Sequence, residues 1–233
     1  LMAWVKNMDQ LTKNTYQRSG VYSYNISENG DYGSSKGIDL TLKFRGRAFG
    51  SQLQYTYSIA KNNSEYPWAN VSGQYVDAPS QESLQFYDRP HDITFWFYTG
   101  LPFGINAALT AFYQSGGPYT PLIFAGKDPQ IDAKNPNSKR GPAYRNANLN
   151  FSKYVKIMDH KISLGLSVYN LIDIRNEIDV YPLTGKAGDP GAYYTEDVGL
   201  ADSEHYLSSA YYDRPWRFSQ PREINFNVRF DFD

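Results

Sequence analysis

The chain has 233 residues, a formal net charge of −1 and no cysteine. The near-neutral charge offers no long-range attraction to nucleic acid, so we expect no nucleic-acid partner, and the lack of cysteine excludes disulfides and thiolate metal sites. Mean hydropathy is −0.59. No run of residues approaches the roughly 18 apolar residues of a transmembrane helix, but the alternating strands of a membrane β-barrel are also hydrophilic on average.

Alternation of apolar and polar side chains with period two is the main local signal along the chain. In residues 38–45 the apolar side chains fall on the even positions and the polar ones on the odd positions, and residues 161–168 repeat this pattern. Helical periodicity nowhere exceeds one or two turns, and its best candidate is Gly199–Ser209. The sequence predicts an all-β fold with eight strands, at roughly 2–12, 32–45, 51–61, 91–101, 104–115, 145–157, 161–173 and 221–232, and a further extended piece at Val21–Ile26.

The connections between these strands alternate between short and long. Three are predicted as tight turns, at 45–50, 101–104 and 158–160, and four are long polar links, at 13–31, 62–90, 117–143 and 174–220. In an antiparallel up-and-down meander this order puts every long link at one end. Short turns at one end, long loops at the other and strands of 10–13 residues are typical of a transmembrane β-barrel of the outer membrane.

The last predicted strand is strictly amphipathic. On the barrel interpretation its apolar side chains face the lipid, and they are Ile224, Phe226, Val228, Phe230 and Phe232. The alternate residues, from Asn225 to Asp231, then face the lumen.

No charge block or low-complexity linker divides the chain, so we expect residues 1–233 to be one segment of a single barrel domain. Leu1 lies at the start of a predicted strand and no secretory signal precedes it. This pattern favours a mature or internal piece of a longer protein.

Several motifs in order along the chain resemble the C-terminal strands of TonB-dependent outer-membrane receptors. Val168–Asn176 (VYNLIDIRN) is similar to the family's "v-x-N-L-[FL]-D-x-x-[YN]" segment, and Asp88–Thr94 (DRPHDIT) is similar to its "D-x-P-H" strand. The other matching segments are Leu101–Gly104 (LPFG), Tyr113–Thr120 (YQSGGPYT), Lys36–Thr41 (KGIDLT) and the closing strand Gln220–Phe232. Two departures are Asp39, where the family usually has glutamate, and Asp233, which follows the terminal aromatic residue.

The resemblance implies the last eight or so strands of a 22-stranded barrel in the bacterial outer membrane, with the plug domain absent from this chain. It implies an active-transport receptor for a nutrient such as a siderophore, a glycan, a peptide or cobalamin. The implied partners are outer-membrane lipid, the plug and remaining strands, an inner-membrane energy-coupling protein and the nutrient itself. A barrel this wide needs a plug, because strand side chains cannot fill it.

No catalytic constellation emerges, so we expect no enzyme activity. His91, His160 and His205 are scattered, and no nearby serine and carboxylate are spaced for a catalytic triad. Residues 128–137 carry oxygen ligands at uneven spacing, which is more typical of a solvated loop than of a calcium site. We predict no metal and no cofactor.

Aromatic residues and arginines in the long links are the candidates for ligand binding, because both residue types stack on ligands. Packing of the loops on themselves explains the same residues equally well. The candidates are Tyr66, Trp68, Tyr75, Arg89, Tyr193, Tyr194, Tyr211, Tyr212, Arg214 and Trp216. Arg89 and Arg214 belong to a repeated Tyr-Asp-Arg-Pro motif, at 87–90 and 212–215, which is also interpretable as a structural device at the start of a strand.

Two other function classes stay open at this point. One is a soluble β-rich module that binds carbohydrate through its aromatic loops. The other is a small closed eight-stranded outer-membrane barrel that serves as an adhesin or an enzyme.

Overall fold

The computed structural model describes residues 1–63, 82–124, 126, 128–132, 134–157, 160–195 and 212–231. Most of the regular structure in these ranges is antiparallel β-sheet, which confirms the all-β prediction. The helical segments bounded within them are one four-residue α-helix, Ala192–Thr195, and two single 3₁₀ turns, Pro102–Gly104 and Pro215–Arg217. No helix in the described ranges is long and apolar enough to cross a membrane. The predicted helix candidate, residues 199–209, lies outside them.

Eight long strands form one sheet in which each strand pairs with the next one along the chain. Their bounds are β1 Met2–Ser19, β2 Tyr22–Arg45, β3 Phe49–Asn62, β4 His91–Leu101, β5 Ile105–Gln114, β6 Tyr144–Ile157, β7 His160–Tyr169 and β8 Glu223–Asp231. All these pairings are antiparallel. β1 and β8 are the edges of the sheet, and no backbone pairing joins them in the described residues.

The register separates the two faces of the sheet by polarity. One row of directly opposed residues crosses seven strands and is apolar except at one serine: Phe44, Ser51, Phe97, Leu109, Leu149, Val168 and Ile224. The neighbouring row on the other face is mostly polar or small: Arg45, Gly50, Tyr98, Ala108, Asn150, Ser167 and Asn225. The sheet therefore has one apolar face and one polar face.

The apolar face has no second layer packed on it in the described part of the chain. None of the seven residues in its row is buried, and the exposed fraction is 68% for Phe226 and 63% for Ile224. Apart from three prolines in the links, the buried apolar residues among those described are Ala60, Ala187 and Tyr212. The chain exposes 16,095 Å², whereas a compact monomer of 26.6 kDa exposes about 10,700 Å². This sheet is not organised around a hydrophobic core.

Aromatic side chains flank the apolar face at both ends of β3. At the end with the tight turns, Phe44 and Phe49 stack with their ring centroids 5.1 Å apart. At the opposite end, Tyr55 and Tyr57 pack on His91, and the Tyr55 hydroxyl lies 2.9 Å from the His91 Nδ1. Phe49 and Tyr57 are separated by about 26 Å along the strand, at about 3.3 Å per residue.

The predicted long link at 13–31 is wrong, because these residues form a β-hairpin. β1 continues to Ser19, β2 begins at Tyr22, and Ser19 pairs with Tyr22 across a two-residue turn. Gly20 has a φ of 62° in that turn, at the position where a type II′ turn requires glycine. β3 ends at Asn62, opposite Gly33, so the hairpin extends past the sheet as a two-stranded ribbon. Alternation within residues 13–31 is confined to Tyr22, Tyr24 and Ile26, so period two indicated the extended piece at Val21–Ile26 but not the paired hairpin.

The other connections follow the prediction. β2 and β3 are joined by residues 46–48, and β4 and β5 by the 3₁₀ turn Pro102–Gly104. The third tight turn falls on residues 158–159, which lie outside the described residues. The long links that follow β3, β5 and β7 lie at the opposite end of the sheet. We call this the loop end.

Two buried asparagines hold the start of the last long link. β7 ends at Tyr169, earlier than predicted, because Asn170 turns the chain with a φ of 50°. Its Nδ2 donates to the carbonyls of Ile174 and Gln220, each at 3.0 Å. Asn176 donates to the Arg145 carbonyl at 2.7 Å and accepts from the Arg145 amide at 2.8 Å. The Asn176 side chain therefore replaces a neighbouring strand at that position of β6.

We expect Asn176→Ala to lower the free energy of unfolding by about 2–3 kcal/mol, because it leaves the backbone amide and carbonyl of Arg145 without these partners. Asn225→Ala is the matched control, since Asn225 is exposed and donates only to Glu223 of its own strand at 2.8 Å. Urea titration of the refolded protein measures both. Equal losses for the two variants would contradict the bridging role of Asn176.

Candidate functional site

Asp88 is the most deeply buried charged residue among those described at the loop end. It ties the link between β3 and β4 to β3. Its side chain is fully buried, and its Oδ1 accepts from the Ala60 amide at 2.6 Å. The Gln85 amide donates to the Ala60 carbonyl at 3.0 Å, so residues 85–88 satisfy both backbone groups of Ala60. This segment thus hydrogen-bonds to the edge of β3 at Ala60, past the point where the pairing of β3 with β4 ends.

Arg140, in the link between β5 and β6, connects that link to Asp88. Its NH2 forms an ion pair with the Asp88 Oδ2, and its NH1 donates to the carbonyls of Asp88 at 3.1 Å and Gly116 at 3.3 Å. Arg140 also pairs with Pro118 in a short antiparallel ladder of Pro118–Tyr119 with Lys139–Arg140. One guanidinium therefore joins two links that are far apart in sequence.

Gly116 permits the closest backbone approach in this region. A Cβ on Gly116 would lie 1.7 Å from the Gly141 carbonyl oxygen, so no other residue fits without moving the backbone. The glycine pair within Tyr113–Thr120 is thus a packing requirement of the crossing between residues 116 and 141.

Arg89 lies next to this ion pair and is only partly buried. Its NH1 donates to the carbonyls of Phe86 at 3.1 Å and Asp88 at 3.0 Å, and its guanidinium packs on the Cα of Gly117. The Asp88 carboxylate is bound by Arg140, and Arg89 forms no ion pair among the described residues. Burial, and then the repulsion of Arg140, lower the pKa of Arg89, while Asp88 partly offsets this by raising it.

A cavity of about 680 Å³ opens beside Arg89, between the long links that follow β3, β5 and β7. Its charged and aromatic lining residues are Phe86, Arg89, Tyr119, Tyr144, Glu177 and Asp179. Burial raises the pKa of the Tyr119 hydroxyl, which packs against Gly185. The cavity has the size of a small-molecule pocket, for which volumes of roughly 300–1,000 Å³ are usual.

The predicted ligand-binding residues divide between several places. Arg89 lines the cavity, while Tyr193, Tyr194 and Tyr212 pack on one another and are not among its lining residues. The Tyr212 hydroxyl donates to the Tyr194 carbonyl at 3.2 Å, and the Tyr193 hydroxyl donates to Asp128 at 2.8 Å. These three tyrosines therefore make the contacts that self-packing of the loops requires.

Arg214 lies over the ring of Trp216, with its Cζ 5.2 Å from the ring centroid, and Trp216 is 63% exposed. Both residues lie outside the cavity lining. Tyr66, Trp68, Tyr75 and Tyr211 lie outside the described residues. A ligand role for any of these residues stays a prediction.

Sequence reasoning missed four residues of this region: Asp88 and Arg140 as the buried ion pair, and Tyr119 and Tyr144 as cavity walls. Tyr119 stands within the segment that resembles the receptor family, so that motif was an available signal. Nothing local marked Arg140, which meets Asp88 only through tertiary packing.

Polar side chains of the candidate calcium loop, residues 128–137, contact one another and the link that precedes β4. Asp132 accepts from the Asn135 amide at 3.0 Å, and Asn137 donates to the Leu84 carbonyl at 2.7 Å. Within the ranges that the structure describes, no three His, Cys, Asp or Glu residues are grouped for a metal ion. His205 lies outside those ranges.

The sequence matches no protein-family model and no curated protein. The interpretation of the site therefore depends on its own geometry.

We expect Asp88→Ala to lower the free energy of unfolding by about 3 kcal/mol, because it removes one partner of a buried ion pair and the acceptor of the Ala60 amide. Asp213→Ala is the control at the same position of the repeated motif. Asp213 pairs with Arg175 at 2.8 Å, but both side chains are 56% exposed, so a loss below about 1 kcal/mol is expected. Urea titration compares the variants, and a loss for Asp88→Ala no larger than for Asp213→Ala would contradict the anchoring role.

Proposed function

We propose that this chain is the C-terminal wall and loop region of a TonB-dependent receptor in the bacterial outer membrane, which takes up a nutrient through a plugged β-barrel. The observation that carries the proposal is the amphipathic sheet, with one continuous apolar face that no described residue covers. Such a face requires an apolar phase against it, because apolar surface is costly to leave in water.

Three further features support the membrane setting. The strands of 9 to 24 residues are long enough for a tilted crossing of a bilayer. The tight turns after β2 and β4 lie at one end of the sheet, while the β1–β2 hairpin and the long links after β3, β5 and β7 extend from the other end, as the long loops of outer-membrane barrels do. Aromatic side chains flank the apolar face at both ends, like the aromatic girdles that bound an apolar band about 25 Å tall.

One cation on the apolar face also fits this setting. Lys153 lies between Ile105 and Leu164, in the row that borders the Pro102–Gly104 turn. A lysine at that height reaches the membrane–water interface with its ammonium group while its methylenes stay in the apolar phase.

In this proposal the polar face lines the lumen and meets the plug, and the anchored links at the loop end are extracellular. Asp88, Asn170 and Asn176 then anchor the loops to the sheet through their hydrogen bonds to backbone groups. The remaining barrel strands, the plug and the energy-coupling partner belong to the proposal and lie beyond this chain.

The two alternative functions have less support. A soluble carbohydrate-binding module needs a packed core, and the described residues bury few apolar side chains, none of them on the long strands except Ala60. A closed eight-stranded barrel needs pairing between β1 and β8, which lie at opposite edges of the sheet.

A cysteine scan of β8 tests the lipid contact, because the chain contains no cysteine of its own. We expect spin labels at Phe226→Cys and Val228→Cys, in the full-length protein in lipid vesicles, to collide with lipid-soluble oxygen. Labels at Asn225→Cys and Asn227→Cys serve as the matched controls and should collide less with oxygen. Oxygen accessibility without a period of two along residues 225–228 would reject the proposal.

A charge-insertion pair tests the same face by stability. Leu166 and Ser167 are neighbours in β7, and they pair with Phe226 and Asn225 respectively. We expect Leu166→Arg to lower the free energy of unfolding in lipid by about 2–4 kcal/mol, because the lipid face rejects a charge near the bilayer midplane. Ser167→Arg should lower it by much less. Equal effects measured by urea titration from vesicles would count against the lipid-facing assignment.

A further inference from the structure

We propose that the cavity beside Arg89 binds an organic anion, with Arg89 contacting a carboxylate or similar oxyanion and the aromatic walls packing on the rest of the ligand. The proposal depends on the proposed function only for its setting, in which this cavity would be the place where a receptor first holds its nutrient. The binding chemistry itself is argued from the cavity.

The charge balance around Arg89 leaves a cation to be neutralised. The neighbouring carboxylate, Asp88, forms its ion pair with Arg140, so three charged groups contain one negative and two positive charges. Both hydrogen bonds of Arg89 come from NH1 and end on backbone carbonyls. Its Nε and NH2 donors have no partner among the described residues, and they offer two parallel donors to an oxyanion.

The depressed pKa of Arg89 agrees with this charge balance. Burial and the proximity of Arg140 both disfavour its charged form. Arginine nevertheless stays protonated at neutral pH. A bound anion next to the guanidinium offsets both penalties, because it favours the charged form of Arg89.

The two carboxylates in the cavity wall do not neutralise Arg89. The Glu177 carboxylate accepts from the Ala187 amide, and Asp179 pairs with Arg217 at 3.1 Å. Neither forms an ion pair with Arg89 among the described residues.

The aromatic and aliphatic lining residues determine which kind of organic group can carry the anion. Phe86, Tyr119 and Tyr144 supply ring faces, and Ile178 and Val180 supply aliphatic surface. These aromatic and aliphatic walls, beside the charged end at Arg89, favour a flat or cyclic body that carries the charge at one end.

The cavity opens toward the polar face of the sheet. Gln114 and Tyr144 line it, and they pair with each other in the register on that face. In a barrel, this position is the loop end of the lumen, which a ligand reaches before any narrower part.

Calorimetry on the full-length protein in detergent, with sodium benzoate as the probe and neutral benzamide as its isostere, tests the proposal. We expect benzoate to bind at least tenfold more tightly than benzamide. Arg89→Gln should weaken benzoate binding at least tenfold, or about 1.4 kcal/mol, and leave benzamide binding within about twofold. Arg47→Gln is the control, because it makes the same charge change at the exposed turn on the opposite end of the sheet.

Equal binding of benzoate and benzamide, no binding of benzoate, or full benzoate affinity in Arg89→Gln would each overturn the proposal. If Arg89→Gln does not fold, Arg89→Lys takes its place, since it keeps the charge and removes the paired donors. A loss of benzoate affinity in that variant supports the proposal, and unchanged affinity contradicts it. The spin-label scan fails or succeeds independently, so a preference for benzoate without a lipid-facing pattern would refute only the membrane function.

Discussion

The structure depends on one constraint, which is that a single antiparallel sheet carries an apolar face that no second layer buries in the described part of the chain. In a sandwich or an α+β domain, that face would meet another sheet or helices across about 10 Å. Here Phe226 and its neighbours on β7 and β8 form a continuous surface, while the alternate residues are polar. The environment must then supply the missing apolar layer. In the proposed membrane setting, a lipid phase would supply it along the whole sheet without requiring a partner of matching shape.

Without a core, the loop end is held by buried polar groups. Asp88, Asn170 and Asn176 are buried, and each satisfies backbone groups at the end of a strand or in a link. A buried amide or carboxylate with all its partners is highly directional, since a shifted link leaves a donor or an acceptor unpaired. These residues therefore give the described parts of the long links defined positions despite their polar composition. The cavity beside Arg89 exists because the links are fixed in this way.

The sequence predicted most of the sheet because its two faces meet different environments. Six strands were found near their observed bounds, from β3 at Phe49–Asn62 to β8 at Glu223–Asp231. The extended piece at Val21–Ile26 was predicted and lies in β2, but its pairing with β1 beyond Gly33 was missed, because backbone pairing alone leaves no apolar period in the sequence. The site was predicted only at Arg89. The contacts of Asp88 with Arg140, and of Gly116 with Gly141, join separate links, so no local spacing encodes them.

The repeated Tyr-Asp-Arg-Pro motif shows that the site depends on tertiary contacts and not on the local sequence alone. At its first copy the Ala60 amide and Arg140 surround the aspartate, and Asp88 is fully buried. At the second copy Asp213 pairs in solvent with Arg175, and the following arginine lies over Trp216. Because Arg140 takes the carboxylate at the first copy, Arg89 is left beside a cavity with a positive charge to be matched. The same four-residue motif thus forms a buried anchor with a cation beside a cavity at one place, and an exposed surface contact at the other. The difference lies in the tertiary partners that surround each copy.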